Sequence, residues 1–285
     1  LLRSLKADKV DGLLVTNPVS VTYLTGFTGD SSVLVVGPKA FVLVSDTRFA
    51  AQIEEECPGL DVHVRGHDST TVEAAGEALT KAGLKAVGLE ADHVTAAFQE
   101  DLAAAAPKAT FVPLRGRVEA LRAIKDPSEH EHIRAAVKVA ERAFSMFRAT
   151  ISDTDTEKQM VDALDGYLRR AGAKGASFPV IVAVGDRGAL PHAPPTARAL
   201  IEGSKPLVDW GADLLYKSDL TRTFKSPFGT NLGRRTKQER ALLNFDEVYG
   251  YVCKAQDAAV AALRDGAVAA DVDAAARQVL ADAKL

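Results

Sequence analysis

Asp209 and Asp219 stand in the run Leu207-Val208-Asp209-Trp210-Gly211-Ala212-Asp213-Leu214-Leu215-Tyr216-Lys217-Ser218-Asp219-Leu220-Thr221-Arg222-Thr223, which reads as two strands joined by a turn around Asp213. Side chains alternate faces along a strand and antiparallel neighbours lie close, so both carboxylates can project to one side. Carboxylates held that near repel. A fold tolerates them if cations neutralise them, or if one stays protonated as in a general acid and base pair. The bare spacing is also open to surface acids on a turn and an edge strand. His192, in Pro191-His192-Ala193-Pro194-Pro195, reads by itself as a loop histidine with a structural hydrogen bond. His130 and His132 are two apart on a helix and diverge, so they read as solvated. His63, His67 and His93 show no paired ligand spacing.

The elements that must position these residues follow from pattern. An apolar, β-favouring run beginning Asp11-Gly12-Leu13 ends at the turn-forming Asn17-Pro18, and residues 32–36 and 40–45 form a hairpin around Gly37-Pro38-Lys39. Helices are expected over 47–55, 71–82 and 95–105, alternating with short strands at 62–64, 86–89 and 110–112. Such alternation predicts an α/β layer structure. It stops at Pro113-Leu114-Arg115-Gly116, so a linker is placed over 113–118, dividing the chain into domains 1–116 and 117–285. Asp126-Pro127-Ser128-Glu129 opens a long helix towards Thr150, and a second spans 156–171 with Met160, Leu164 and Leu168 on one face. Strands follow at 180–184, 207–209 and 216–224, then helices over 236–264 and 272–284.

Composition narrows the functional classes. The 285 residues are 47% hydrophobic and 26% charged, with a formal net charge of −3 from 35 basic and 38 acidic residues. The charges are mixed along the chain, which disfavours a basic nucleic-acid-binding face. No apolar run approaches the roughly 18 residues of a membrane span, and the first residues are not built like a signal peptide. Cys57 and Cys253 lie far apart and form no C-x-x-C pair, which fits a reducing, cytoplasmic setting.

Ser177-Phe178-Pro179-Val180-Ile181-Val182-Ala183-Val184-Gly185, the Leu190-Pro191-His192 loop and the Asp209 hairpin ending Ser218-Asp219-Leu220-Thr221-Arg222-Thr223 occur in series. Together they resemble the creatinase, aminopeptidase P and prolidase family, whose elements read S-F-x-x-I-V-A-x-G, A-x-P-H-x-x-P and D-x-G to S-D-x-T-R-T. Tyr23-Leu24-Thr25-Gly26-Phe27, Asp46-Thr47-Arg48 and the bridge 118–127 extend the likeness over nearly the whole chain. The resemblance implies an α/β amino-terminal creatinase-type domain followed by an α+β pita-bread catalytic domain. It implies hydrolysis of peptides with proline at the second position, two divalent cations (Mn²⁺, with Co²⁺ or Zn²⁺ as alternatives) and a homodimer. It makes Asp209 a chelating carboxylate, Asp219 a bridging one, His192 a donor to the developing oxyanion and Arg222 a support for Asp219. Hard divalent cations favour carboxylate oxygen, which suits those roles. Trp210 is expected to pack. Tyr23 and Arg48 are expected to be structural in the first domain, near a partner subunit's cleft.

The family completes its site downstream with a G-H-G-like histidine and two glutamates. His192 is the last histidine here, so that segment has no counterpart between Asp219 and Leu285. The expectation is an incomplete pita-bread domain, inactive as it stands, either because the real chain continues or because it is truncated. Two other functions compete with the peptidase. One is a non-catalytic binding protein on the same fold, favoured by the absent ligands. The other is a metal-free creatinase-like amidinohydrolase, disfavoured by Asp209 and Asp219.

Overall fold

The computed structural model describes residues 1–203, 205–225 and 245–285, which separate into two compact units, Leu1–Glu131 and His132–Leu285. The first is a six-stranded sheet in the order β4-β3-β2-β1-β5-β6. Its strands are β1 (Gly12–Val15), β2 (Val33–Gly37), β3 (Ala40–Asp46), β4 (Asp61–Arg65), β5 (Ala86–Glu90) and β6 (Thr110–Leu114). β1 runs antiparallel to β2 and parallel to β5. Both faces are covered, which is why β1 and β2 are apolar without alternation. Leu13, Val15, Leu34 and Val36 meet one core with Val21 of α2 (Pro18–Thr25) and Ile53 of α3 (Ala50–Glu56). Leu14, Val33 and Val35 meet the other, with Leu79 of α4 (Thr71–Lys81) and Leu102 of α5 (Ala96–Ala105).

Several boundaries depart from expectation for local reasons. α1 (Leu2–Ala7) and α2 lie in stretches where no helix was expected. Asn17 caps α2 by accepting from the Val19 amide, and Pro18 opens it, so Asn17-Pro18 is a helix start as well as a strand exit. The helix expected from Thr47 begins with a 3₁₀ turn, Thr47–Phe49. β6 continues through Pro113, which an edge strand accommodates because it need not donate on its outer side.

A short helix, α6 (Glu119–Ala123), ends the first unit's own elements, and α7 (Pro127–Thr150) starts within it and runs on into the second, where it and α8 (Glu157–Arg170) pack against a three-stranded antiparallel sheet, β7 (Ile181–Val184), β8 (Pro206–Trp210) and β9 (Leu220–Thr223). Ala140, Phe147, Met160, Leu164 and Leu168 interlock with Val182, Val208 and Trp210. Thr156 and Gln159 close a reciprocal capping box at the start of α8. α9 (Phe245–Ala262) and α10 (Ala269–Asp282) pack on each other. The first part of the helix expected over 236–264 lies outside the described residues. Among the described residues no helix is long and apolar enough to cross a membrane.

Candidate active site

β8 is the middle strand of its sheet and carries Asp209 at the register position flanked by Ile181 and Thr221. Val208 and Trp210 turn into the core, so Asp209 between them faces the opposite side and is half-buried. Two bonds bolt this hairpin to α7 one helical turn apart. The Trp210 indole donates to the Ala140 carbonyl at 3.0 Å, and the Ser218 hydroxyl donates to the Ala136 carbonyl at 3.1 Å. Phe144 stacks on Trp210 with ring centroids 4.2 Å apart, so the expected packing role of Trp210 holds.

The segment between β8 and β9 is more than a simple turn. The Ser177 hydroxyl donates to the Ser218 carbonyl, the Asp213 amide to the Gly175 carbonyl and the Ser177 amide to the Gly211 carbonyl. This pairing with 174–177 is why β9 begins only at Leu220, four residues later than the alternation predicts. It also explains Gly211: a Cβ there would lie 1.8 Å from the Ser218 carbonyl oxygen and 2.1 Å from the Ser177 hydroxyl.

The Thr221 hydroxyl donates to Asp209 Oδ1 at 3.0 Å. Asp219, two residues before Thr221, is exposed and diagonal to Asp209 on the same face. The Asp209 carboxyl is raised above its ordinary value. Burial is the main cause and the Asp219 charge adds to it, while the Thr221 bond and His192 oppose it. His192 is exposed in the loop that follows β7, near enough for its positive form to favour ionised Asp209. The Arg222 guanidinium, also exposed, donates to the Thr221 carbonyl at 2.8 Å.

Two residues at this site carried no expectation. Thr221 lay inside the quoted motif, and its pairing with Asp209 depends on strand register. Glu157 looked like an ordinary acid in the first turn of α8, yet its side chain is fully buried. Its carboxylate accepts from the Val184 amide, the Thr196 amide and hydroxyl, and the Arg187 guanidinium. Other residues singled out from the sequence sit elsewhere. His132 is exposed and stacks on Tyr216. In the first unit, Tyr23 packs against the core, while Arg48 is exposed and bonds Asp46.

Residues 131–285 match Metallopeptidase family M24, and residues 1–124 match the Creatinase/Prolidase N-terminal domain. The chain belongs to metallopeptidase family M24. Among similar proteins, the uncharacterized peptidase YqhT of Bacillus subtilis is 29% identical over 95% of this chain and 73% of its own length. An X-Pro aminopeptidase from Thermotoga maritima matches with a TM-score of 0.85 and 26% identity, over 99% of this chain and 78% of that one. An Xaa-Pro dipeptidase from Bacillus anthracis matches with a TM-score of 0.85 and 27% identity, over 99% and 76%. The two units are thus a creatinase-type amino-terminal domain and an M24 pita-bread domain.

The donors bear on the divalent metal that M24 membership implies. Two carboxylates on one face, one disfavoured in its charged form by burial and by the other, fit part of a hard-cation site. Among the described residues no group of three or more His, Cys, Asp or Glu side chains gathers to hold an ion.

Proposed function

We propose that the protein is a metal-dependent peptidase acting on bonds that involve proline, as an X-Pro dipeptidase or an X-Pro aminopeptidase. The observation that carries this reading is the shared face of Asp209 and Asp219, with Thr221 bonded to the first and His192 close to it. Similarity to a solved X-Pro aminopeptidase and a solved Xaa-Pro dipeptidase supports the proline preference. In this reading Asp209 and Asp219 would be the carboxylates that hold divalent cations, with Mn²⁺ as the expected occupant and Co²⁺ or Zn²⁺ as alternatives. When bound, such cations polarise the scissile carbonyl and lower the pKa of water.

The chain's own residues supply the rest. Thr221 restrains rotation of the Asp209 carboxylate by occupying Oδ1. His192 donates an N–H to the carbonyl oxygen as negative charge develops there. Arg222 is read as a support for Asp219 two strand positions before Thr221, although its guanidinium donates to the adjacent Thr221 carbonyl rather than to that carboxylate. The substrate in this reading is a peptide with proline at its second position. Two free cysteines, Cys57 and Cys253, support a reducing cytoplasmic setting. The active form is a homodimer; a lone monomer in size-exclusion chromatography with light scattering counts against that assignment.

The test is hydrolysis of an X-Pro dipeptide and an X-Pro tripeptide by the whole native polypeptide with added Mn²⁺, Co²⁺ or Zn²⁺. Metal-dependent cleavage that disappears in both Asp209→Ala and Asp219→Ala establishes the peptidase, and the preferred peptide length separates the two activities. No cleavage by the folded protein with any of these metals transfers the reading to a non-catalytic binding module.

A further inference from the structure

We propose that Glu157 is a positioning residue that sets the loop carrying His192. The assignment of His192 to the reaction rests on the peptidase reading above; the loop-setting role rests on geometry.

The loop leaves β7 at Val184 and returns beside α8 near Thr196. Pro191, Pro194 and Pro195 interrupt it, so three of its residues have no amide to donate and few backbone bonds can hold it. One carboxylate takes over that task. Glu157, fully buried at the first position of α8, accepts from the Val184 amide at 2.8 Å and from the Thr196 amide and hydroxyl at 2.9 and 2.7 Å. Both ends of the loop are therefore tied to one side chain. The Arg187 guanidinium bridges both Glu157 oxygens at 3.0 Å and donates onward to the Pro194 carbonyl at 2.6 Å, two residues past His192. Backbone bonds from the Glu157 amide to the Arg198 carbonyl and from the Lys158 amide to the Thr196 carbonyl close the return. Ala193 is buried beside the exposed His192, so the loop is pinned on each side of the residue it presents.

The charge has a physical reason. Burial alone would push the Glu157 carboxyl up. The Thr196 hydroxyl, the Val184 and Thr196 amides and Arg187 outweigh burial, so the group sits below its ordinary value. The positive end of α8 favours the same ionised form. All the bonds to it are donated, so a carboxylate serves them all and an amide cannot: Glu157→Gln would set an NH₂ against a donor on one side.

The experiment compares Glu157→Gln and Thr196→Val in the wild-type and His192→Ala backgrounds, using the metal-loaded native polypeptide and an X-Pro peptide. It adds amide hydrogen exchange on the apo protein. We expect Glu157→Gln to lower kcat about tenfold or more with KM nearly unchanged, since small misplacement of a reacting group is costly. In the His192→Ala background the same change should cost less than about twofold, because the group it positions is gone. Exchange protection should fall at Val184 and Thr196 and persist in α7 and β8. Equal losses of kcat in both backgrounds, or an unchanged kcat, overturn the proposal. If Glu157→Gln does not fold, Thr196→Val, which keeps the carboxylate and removes one donor, carries the same comparison. If the wild type cleaves no X-Pro peptide, the peptidase reading fails alone. Exchange then decides the loop-setting role: deprotection confined to 184–198 upholds it, and deprotection spread through the second unit sinks it.

Discussion

At the scale of single residues, the site is governed by what surrounds each carboxylate. Thr221 supplies Asp209 with a neutral donor, so the aspartate is oriented without being neutralised. Replacing Thr221 by valine keeps the β-branched shape and removes that donor. If Asp209 holds a cation as proposed, losses of about 10- to 100-fold in affinity for added Mn²⁺ are expected, as is typical when a partner behind a ligand is removed. Isothermal titration calorimetry measures this, and an unchanged affinity would remove Thr221 from the site. Asp46, in the first unit, shows the opposite regime. Bonds from Arg48, with further help from Arg65, hold its carboxyl down to about 2 from an ordinary 3.8. A depressed carboxylate stabilises the fold above its unfolded pKa, and that contribution is lost as pH falls through the folded value. Asp46→Asn should therefore be less stable than wild type at pH 6, with the gap closing as pH falls from about 4 towards about 2. Denaturant titrations across that range decide it; a gap that stays constant with pH sinks the idea.

At the scale of elements, the decisive unit is the β8–β9 hairpin bolted to α7. Trp210 and Ser218 reach carbonyls one turn apart on the helix, which fixes both the height and the tilt of the strand carrying Asp209. Gly211 lets the Ser218 carbonyl and Ser177 hydroxyl close in on the backbone. An added methyl meets backbone rather than a flexible side-chain end, so it cannot be accommodated by rotamer change. Gly211→Ala should destabilise the second unit by about 3 kcal/mol, the upper range for overpacking. Chemical denaturation followed by fluorescence tests it, and a loss under about 1 kcal/mol would mean that the hairpin shifts freely. Much of this element was legible beforehand. The alternation of Val208, Asp209 and Trp210 predicts which side chains turn inward, whereas the pairing of 211–213 with 174–177 has no local signature and shortened β9.

At the scale of the whole molecule, each unit has its own core: two layers around the six-stranded sheet in the first, and one around Trp210 in the second. Separate cores predict separate transitions. Trp210 is the single tryptophan, so its fluorescence reports the second unit, while hydrogen exchange in β1, β2 and β5 reports the first. The two probes should show different midpoints in denaturant. Coincident midpoints would show that the units unfold as one.

What the sequence by itself determined is local or periodic. Apolar runs placed the strands of the α/β unit, the 3.6-residue pattern placed α7 and α8, and the ordered motifs around His192, Asp209 and Asp219 carried the resemblance to the creatinase, aminopeptidase P and prolidase family. Tertiary structure alone decided the roles of Thr221 and Glu157. Thr221 meets Asp209 only through antiparallel register, across 12 residues. Glu157 meets Val184, Arg187 and Thr196 across 27, 30 and 39 residues, and a buried acid has the same letter as a solvated one. Burial and long-range hydrogen bonding are properties of the packed chain, so the residue that organises the His192 loop became visible only once α8 and that loop were brought together.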